Sequence, residues 1–148
     1  MKRPALSLVL LLAALLSSCV ATRYAPTPQE MDSALKNITG QNGQACIRQR
    51  DIAGFGTLSD SVVSVSDKFR GHFLLVTRLR CPGLETSRAA LFEGSFTEFC
   101  GRRDFVNTRE GRCPIQSIFE FETRAEASAA HDRAEESIRL ARDAENAP

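Results

Sequence analysis

Four cysteines, Cys46, Cys81, Cys100 and Cys113, stand in the body of this 148-residue chain, behind an N-terminal leader that itself ends in a fifth, Cys19. The leader has the make-up of an export signal: Lys2 and Arg3 form a positive n-region, and Ala5 to Leu16 an apolar h-region. About a dozen apolar residues fall short of the roughly 20 a spanning helix needs, so the stretch reads as a secretory signal and not a membrane anchor. Export places the four later cysteines in an oxidising compartment, where an even number is expected to form two disulfides. Four cysteines allow three pairings. The preferred one joins Cys81 to Cys100 and Cys46 to Cys113, on the expectation that the first and last strands are neighbours. The gaps of 34, 18 and 12 residues contain no C-x-x-C, so neither a zinc ribbon nor a thioredoxin-type pair is indicated, and no C-x-x-C-H supports haem attachment.

The leader closes on Leu16-Ser17-Ser18-Cys19, which resembles the lipobox of bacterial lipoprotein precursors, cleaved just before the cysteine. That resemblance implies residues 1–18 as signal peptide and Cys19 as the lipidated, palmitate-bearing first residue of the mature chain. Val20 follows Cys19 where an aspartate would signal inner-membrane retention. By similarity to Gram-negative lipoproteins, the implied destination is therefore the periplasmic face of the outer membrane. Acyl chains contribute about 0.8 kcal/mol per buried methylene, and several together make attachment lasting. Without Lys2 and Arg3, the nineteen basic residues become seventeen against eighteen acidic ones. A near-neutral mature chain offers no electrostatic case for nucleic-acid binding, and its length is that of one domain.

Residues 19–44 read as the lipidated N-terminus and tether. Tyr24 to Gln29 is proline-rich and polar, suited to an extended spacer. Met31, Leu35 and Ile38 at i, i+4 and i+7 predict a short helix, and Gly40 to Gly43 breaks it. The folded domain is expected over 45–148. Cys46 to Ile52 is polar but extended and leads into a turn at Gly54-Phe55-Gly56. Ser61 to Ser66 and His72 to Arg80 read as strands joined by a turn at Asp67 to Gly71. Pro82-Gly83 is a turn signal, and Ala89 to Phe99 suggests a strand broken by Gly94. Pro114 to Glu122 alternates, with Ile115, Ser117, Phe119 and Phe121 on a core face and Gln116, Ile118, Glu120 and Glu122 on a mostly wet one. Thr123-Arg-Ala-Glu126 predicts a capping box opening a long helix. Along it Ala127, Ala130, Ala134, Ile138 and Ala141 form a narrow apolar stripe, with Glu135 and Arg139 as an i,i+4 pair. The expected class is α+β: a small antiparallel β-sheet with one long C-terminal helix, disulfide-stabilised.

Little in the chain suggests catalysis. His72 reads as a turn-edge residue and His131 as a surface residue of the last helix, and no H-x-x-x-H or H-E-x-x-H spacing supports a metal. There is no G-x-S-x-G and no phosphate-cradling G-x-x-x-x-G-K. No cofactor is expected. The strongest polar cluster is Arg102, Arg103 and Arg112 beside Cys100, whose guanidinium groups suit the carboxylates of peptidoglycan or the phosphates of lipopolysaccharide. Asp104 and Glu110 are close enough in sequence to neutralise it.

The segments Leu79-Arg80-Cys81-Pro82-Gly83-Leu84, Phe99-Cys100-Gly101-Arg102-Arg103-Asp104 and Arg112-Cys113-Pro114-Ile115, with Cys46 and Ile52 ahead of them, resemble a domain-of-unknown-function family of small proteobacterial envelope lipoproteins. The resemblance spans Cys46 to Phe121 and implies a disulfide-held envelope domain and no reaction. The resulting expectation is a non-enzymatic, lipid-anchored protein facing the periplasm. Its partners would be the membrane, through the N-terminal lipid, and an envelope protein or glycan. The alternative is a small-ligand or anion-binding module built on the arginine cluster.

Overall fold

The computed structural model describes residues 25–86, 91–93 and 97–147. Cys19 and the expected strand break at Gly94 lie outside them. The first element is a helix, α1 (Pro28–Thr39). Thr27 caps it reciprocally: its hydroxyl accepts from the Glu30 backbone N–H, while the Glu30 carboxylate accepts from the Thr27 N–H at 2.7 Å. Pro28 costs nothing at the first helical position, where its missing N–H would have no partner anyway. Gly40, left-handed at φ 70°, ends the helix. Met31 and Leu35 are fully buried. Residues 28–39, expected as part of the tether, are therefore a helix packed into the core.

After α1 come β1 (Ile47–Arg48), β2 (Ile52–Thr57), β3 (Val62–Asp67), β4 (His72–Thr77), a single turn α2 (Gly83–Thr86), β5 (Leu91–Glu93), β6 (Glu98–Phe99), β7 (Phe105–Thr108) and β8 (Gly111–Phe121). The long helix α3 (Arg124–Glu145) closes the order. A six-stranded antiparallel sheet runs β2-β3-β4-β8-β7-β5, and β1 pairs with β6 in a separate two-stranded ladder. Gly54 and Gly56 lie inside β2, paired with Ser66 and Ser64, so the expected turn there is a strand. β7 falls between Arg103 and Arg112, in a stretch where no strand was expected. At the β3–β4 turn, Asp67 Oδ1 accepts from the N–H groups of Phe69 and Gly71, as the turn reading expects.

The sheet is covered on both faces. One face carries Val62, Leu74, Val76 and Phe119 under α1 and α3, which supply Met31, Leu35, Ala127, Ala130, Ala134 and Ile138. The other carries Val63, Val65, Phe73, Leu75, Ile115 and Ile118, packed with Ile47, Leu84, Phe92 and Phe99. Glu120 is exposed on the face of β8 expected to be wet, but Ile118 on that same face is fully buried. A register shift opposite Val76–Thr77 adds a residue to β8 and turns Ile115 onto the same face as Ile118, away from Ser117 and Phe119.

α3 departs from expectation in four details. Thr123 caps it by accepting from the Glu126 N–H at 3.1 Å, but the Glu126 carboxylate accepts from the Glu122 N–H and not from Thr123. Arg139 pairs with Glu136 and Asp143, not Glu135. Ala141 is exposed, so the buried stripe ends at Ile138. His131 is buried, because at i+4 from Ala127 it lies on the same face as Ala134 and Ile138.

One ion pair clamps the two helices. Arg142 Nη2 lies 2.6 Å from Glu30 Oε1 and also reaches Oε2. Partial burial pushes the Glu30 carboxyl up, but hydrogen bonds from Arg142 and Thr27 outweigh that and hold it at about 2 instead of 4.5. A carboxyl depressed in the folded state adds stability above its unfolded pKa, and that stability is lost as pH falls through the folded value. Wild-type stability is therefore expected to drop between about pH 4.5 and about pH 2, and Glu30→Gln to remove part of that slope while lowering stability at neutral pH. Urea midpoints across this range test it. Parallel curves for the two proteins would mean that the pair contributes nothing.

Candidate functional site

The two disulfides are Cys46–Cys100 and Cys81–Cys113, which corrects the preferred pairing of the sequence reading. The first strand neighbours β6 and not the last strand. Ile47 sits opposite Phe99, which brings Cys46 against Cys100 with their Cα atoms 4.2 Å apart. Cys81 lies beyond the end of β4, where Thr77 pairs with Ile115, and so reaches Cys113 on the adjacent β8.

Beside Cys46–Cys100 lies a cavity of about 360 Å³. Three segments build it. On one side, Gly101 (φ 83°) and Arg102 (φ 49°) are both left-handed and reverse the chain just after Cys100. Buried Asp104 holds this turn closed by accepting from the Cys100 N–H at 2.6 Å, and the Arg78 guanidinium donates to the Arg102 carbonyl at 2.8 Å. Arg102 then forms part of the cavity wall. On the other side, α1 contributes Lys36, whose Nζ is 2.8 Å from Asp32 Oδ2.

The third segment runs from Gly43 along β8. The Gly43 carbonyl accepts from the Ile118 N–H at 2.9 Å, and the Ala45 N–H donates to the Ile118 carbonyl at 3.1 Å. This close approach requires glycine: φ is 73°, and a Cβ would lie 2.7 Å from the Ser117 Cβ and 3.4 Å from the Lys36 Cε. Ser117 therefore sits under Gly43 and Lys36 at the base of the cavity and is 1% exposed, and its hydroxyl is buried with no hydrogen-bond partner among the described residues. A buried hydroxyl left unsatisfied costs about 1–3 kcal/mol.

The predicted arginine cluster is not assembled. Of Arg102, Arg103 and Arg112, only Arg102 lines the cavity. Arg103 is exposed and does not line the cavity. Arg112 lies opposite Asn107, further along β7, with its guanidinium carbon 4.2 Å from the centre of the Phe105 ring. Neither expected neutralising acid reaches Arg102: Asp104 is committed to the turn, and the Glu110 carboxylate accepts from Thr86. Sequence reasoning missed Lys36 and Gly43 as site residues. The second glycine of Gly40-Gln-Asn-Gly43 was the available signal, since one glycine is enough to end a helix. Ser117 was placed correctly on a core face.

Among the described residues, no group of three His, Cys, Asp or Glu could hold a metal ion, and no helix is long and apolar enough to cross a membrane. His131 Nε2 is buried 3.8 Å from Glu135 Oε1 and has no hydrogen-bond partner. The half-buried His72 lies at the far end of the sheet, opposite Phe121.

Fold and site together define a disulfide-pinned α+β domain with a cavity that Lys36 and Arg102 help to line. The model of a family of unknown function, DUF6491, matches residues 1–137, and the chain belongs to that family. No curated protein and no solved structure matches it.

Proposed function

We propose that this chain is a lipid-anchored protein of the periplasmic face of the outer membrane, whose domain binds an envelope component without catalysing a reaction. The observation that carries this reading is where the chain enters the fold. Arg80 Nη2 donates to the carbonyls of Ala25 at 2.6 Å and Pro26 at 3.0 Å, while its Nη1 is 2.8 Å from Asp60 Oδ2. Cys19 precedes Ala25 by six residues, a reach of about 20 Å at most. A lipid on Cys19 would hold this end of the domain at the bilayer.

The end itself suits that position. Leu79 and Leu58 are 61% and 40% exposed, and the exposed Arg78 and Arg80 flank Leu79. Exposed leucines among arginines fit a headgroup layer, and each arginine near an anionic surface adds about 1 kcal/mol. The lipobox resemblance at Leu16 to Cys19 and the two disulfides of an oxidising compartment support the same reading. The second reading, an anion-binding module, is favoured by one observation, Arg102 among the residues that line the cavity.

Growth of a Gram-negative host with radiolabelled palmitate tests the anchor. The full chain is expected to take up label and fractionate with the outer membrane, and Cys19→Ala to lose both properties. Absence of label in the wild-type chain, or label that persists in Cys19→Ala, would sink the proposal. In-cell crosslinking followed by immunoprecipitation tests the binding role, and recovery of no partner above background counts against it.

A further inference from the structure

We infer that the end of the sheet where the chain enters the fold is a docking face for anionic phospholipid. Leu79 and Leu58 enter the headgroup layer, and Arg78, Arg102 and Arg103 meet its phosphates. This deepens the anchor reading and rests on it for the position of the bilayer, but the affinity belongs to the domain itself and needs no acyl chain. The face starts from Leu79, which is 61% exposed and packs into neither core cluster. A single exposed leucine needs no explanation. Here, however, the segment that carries it is fastened. Thr77 Oγ1 donates to the Leu79 carbonyl at 2.7 Å, the Cys81 N–H donates to the Asp60 carbonyl at 2.7 Å, and Cys81 is bonded to Cys113. The Asp60 contact brings in the β2–β3 turn, which carries the exposed Leu58. Two exposed leucines are thus presented on neighbouring, fastened segments.

Charge gathers at the same end. The Arg78 guanidinium donates to the Arg102 carbonyl, which ties the turn of Arg102 and Arg103 to this face. All three arginines are exposed, and none has a carboxylate partner among the described residues. Of the nearby acids, Asp60 is paired with Arg80, and Asp104 is buried and accepts from the Cys100 N–H. An exposed cation acts on a charged surface across about 8 Å in physiological salt, so these side chains need no fixed orientation. A soluble anion would answer only the arginines. An anionic bilayer answers both features, with phosphates for the arginines and an apolar layer beneath them for the leucines. Position decides the occupant: Arg80 binds the Ala25 and Pro26 carbonyls beside Leu79, six residues from Cys19. The rival is the opposite end, where Phe69 is 70% exposed between Lys68 and Arg70. The six residues of β4 separate the two ends by about 20 Å, so a domain with Leu79 at the bilayer carries Phe69 away from it.

The test uses the mature chain without lipid, carrying Cys19→Ala and exported behind a signal that has no lipobox, with both disulfides intact. Sedimentation with vesicles reads its affinity. Phosphatidylglycerol vesicles are expected to bind it at least tenfold more tightly than phosphatidylcholine vesicles, and the difference to shrink as salt rises. Leu79→Ser should weaken binding to phosphatidylglycerol about tenfold, and Arg103→Gln about fivefold. Both residues are exposed, so both variants should fold. Phe69→Ser, at the far end, should leave the affinity unchanged. The chain has no tryptophan, so Leu79→Trp and Phe69→Trp each place a single fluorescent reporter. Brominated phosphatidylglycerol is expected to quench the first and not the second. Palmitate labelling of the wild-type chain reads the anchor separately: missing label with vesicle binding intact would sink the anchor and keep the face. Equal binding to both lipids, no binding to phosphatidylglycerol at low salt, unchanged affinity in both Leu79→Ser and Arg103→Gln, weaker binding in Phe69→Ser, or quenching of Phe69→Trp would each overturn the inference. So would displacement by inorganic phosphate but not by sodium chloride of equal ionic strength, which would mean a site for the free anion.

Discussion

Replacing Cys46 and Cys100 together with alanine is expected to destabilise the domain by about 4 kcal/mol, the chain-entropy value for a crosslink spanning 54 residues. Few other contacts restrain this part of the chain. The β1–β6 ladder consists of two residue pairs, Ile47 with Phe99 and Arg48 with Glu98. Ile47 and Phe99 are both buried in the core on the face away from the helices, and Phe99 stacks on Phe92 with ring centres 5.5 Å apart. Without the crosslink, two short strands far apart in sequence would have to find each other against the full entropy of the intervening loop. A domain of this size has only about 5–15 kcal/mol of stability to lose. Urea denaturation under non-reducing conditions reads the effect, and a non-reducing peptide map of the wild-type chain should yield the Cys46–Cys100 and Cys81–Cys113 crosslinked peptides. A loss below about 1 kcal/mol would show that β1 and β6 stay docked without their bridge.

That bridge also marks where sequence reasoning ran out. β3 and β4 were legible because runs such as Val62-Val63 and Phe73-Leu74-Leu75-Val76 combine β-branched and large apolar residues between clear turns. α3 was legible from Thr123 and the run of good helix formers after it. The pairing of cysteines was not, because it depends on which distant short strands become neighbours, and a two-residue ladder leaves no periodic signature. α1 was legible as a helix from Met31, Leu35 and Ile38, but its start was not, which is a different failure. Thr27-Pro-Gln-Glu30 is a capping box in plain sight, but the two prolines around it suggest an extended spacer, although one of them sits where a helix accepts it best. His131 shows a third: its spacing from Ala127, Ala134 and Ile138 places it on the buried face, and only its polarity argued for the surface.

The candidate site was legible in part for related reasons. Arg102, Arg103 and Arg112 are neighbours in sequence, but β7 lies between the second and the third and carries Arg112 away along the sheet. Lys36 and Arg102 are distant in sequence and meet only because α1 packs on the sheet and the disulfide returns Cys100 to Cys46. The cavity is a product of tertiary structure: it forms where the edge of β8 beyond β7 is covered by the Gly43–Ala45 segment. Gln41 extends that cover, its side-chain amide exchanging two hydrogen bonds with the backbone of Glu120. Both the helix that precedes this segment and the strand beneath it must be in place for the site to exist.

The joint between those two elements is Phe119, and Phe119→Ala is expected to destabilise the domain by about 3–5 kcal/mol, the range for deleting a buried phenylalanine ring. Its side chain is fully buried between the sheet and the two long helices, among Met31, Leu35 and Ala130, with Leu74 opposite it on β4. Its ring also lies 3.3 Å from the position a Cβ would take on Gly43, so neither helix nor the covering segment can close the space without shifting the others. Phe69 provides the internal control. It stands 70% exposed at the tip of the β3–β4 turn, and Phe69→Ala should change stability by less than about 0.5 kcal/mol. Urea denaturation separates the two readings, since a large drop in midpoint with an unchanged slope reports lost native packing rather than an altered unfolded state. If Phe119→Ala costs no more than Phe69→Ala, then α1 and α3 do not close over this face, and Lys36 is not held above Ser117.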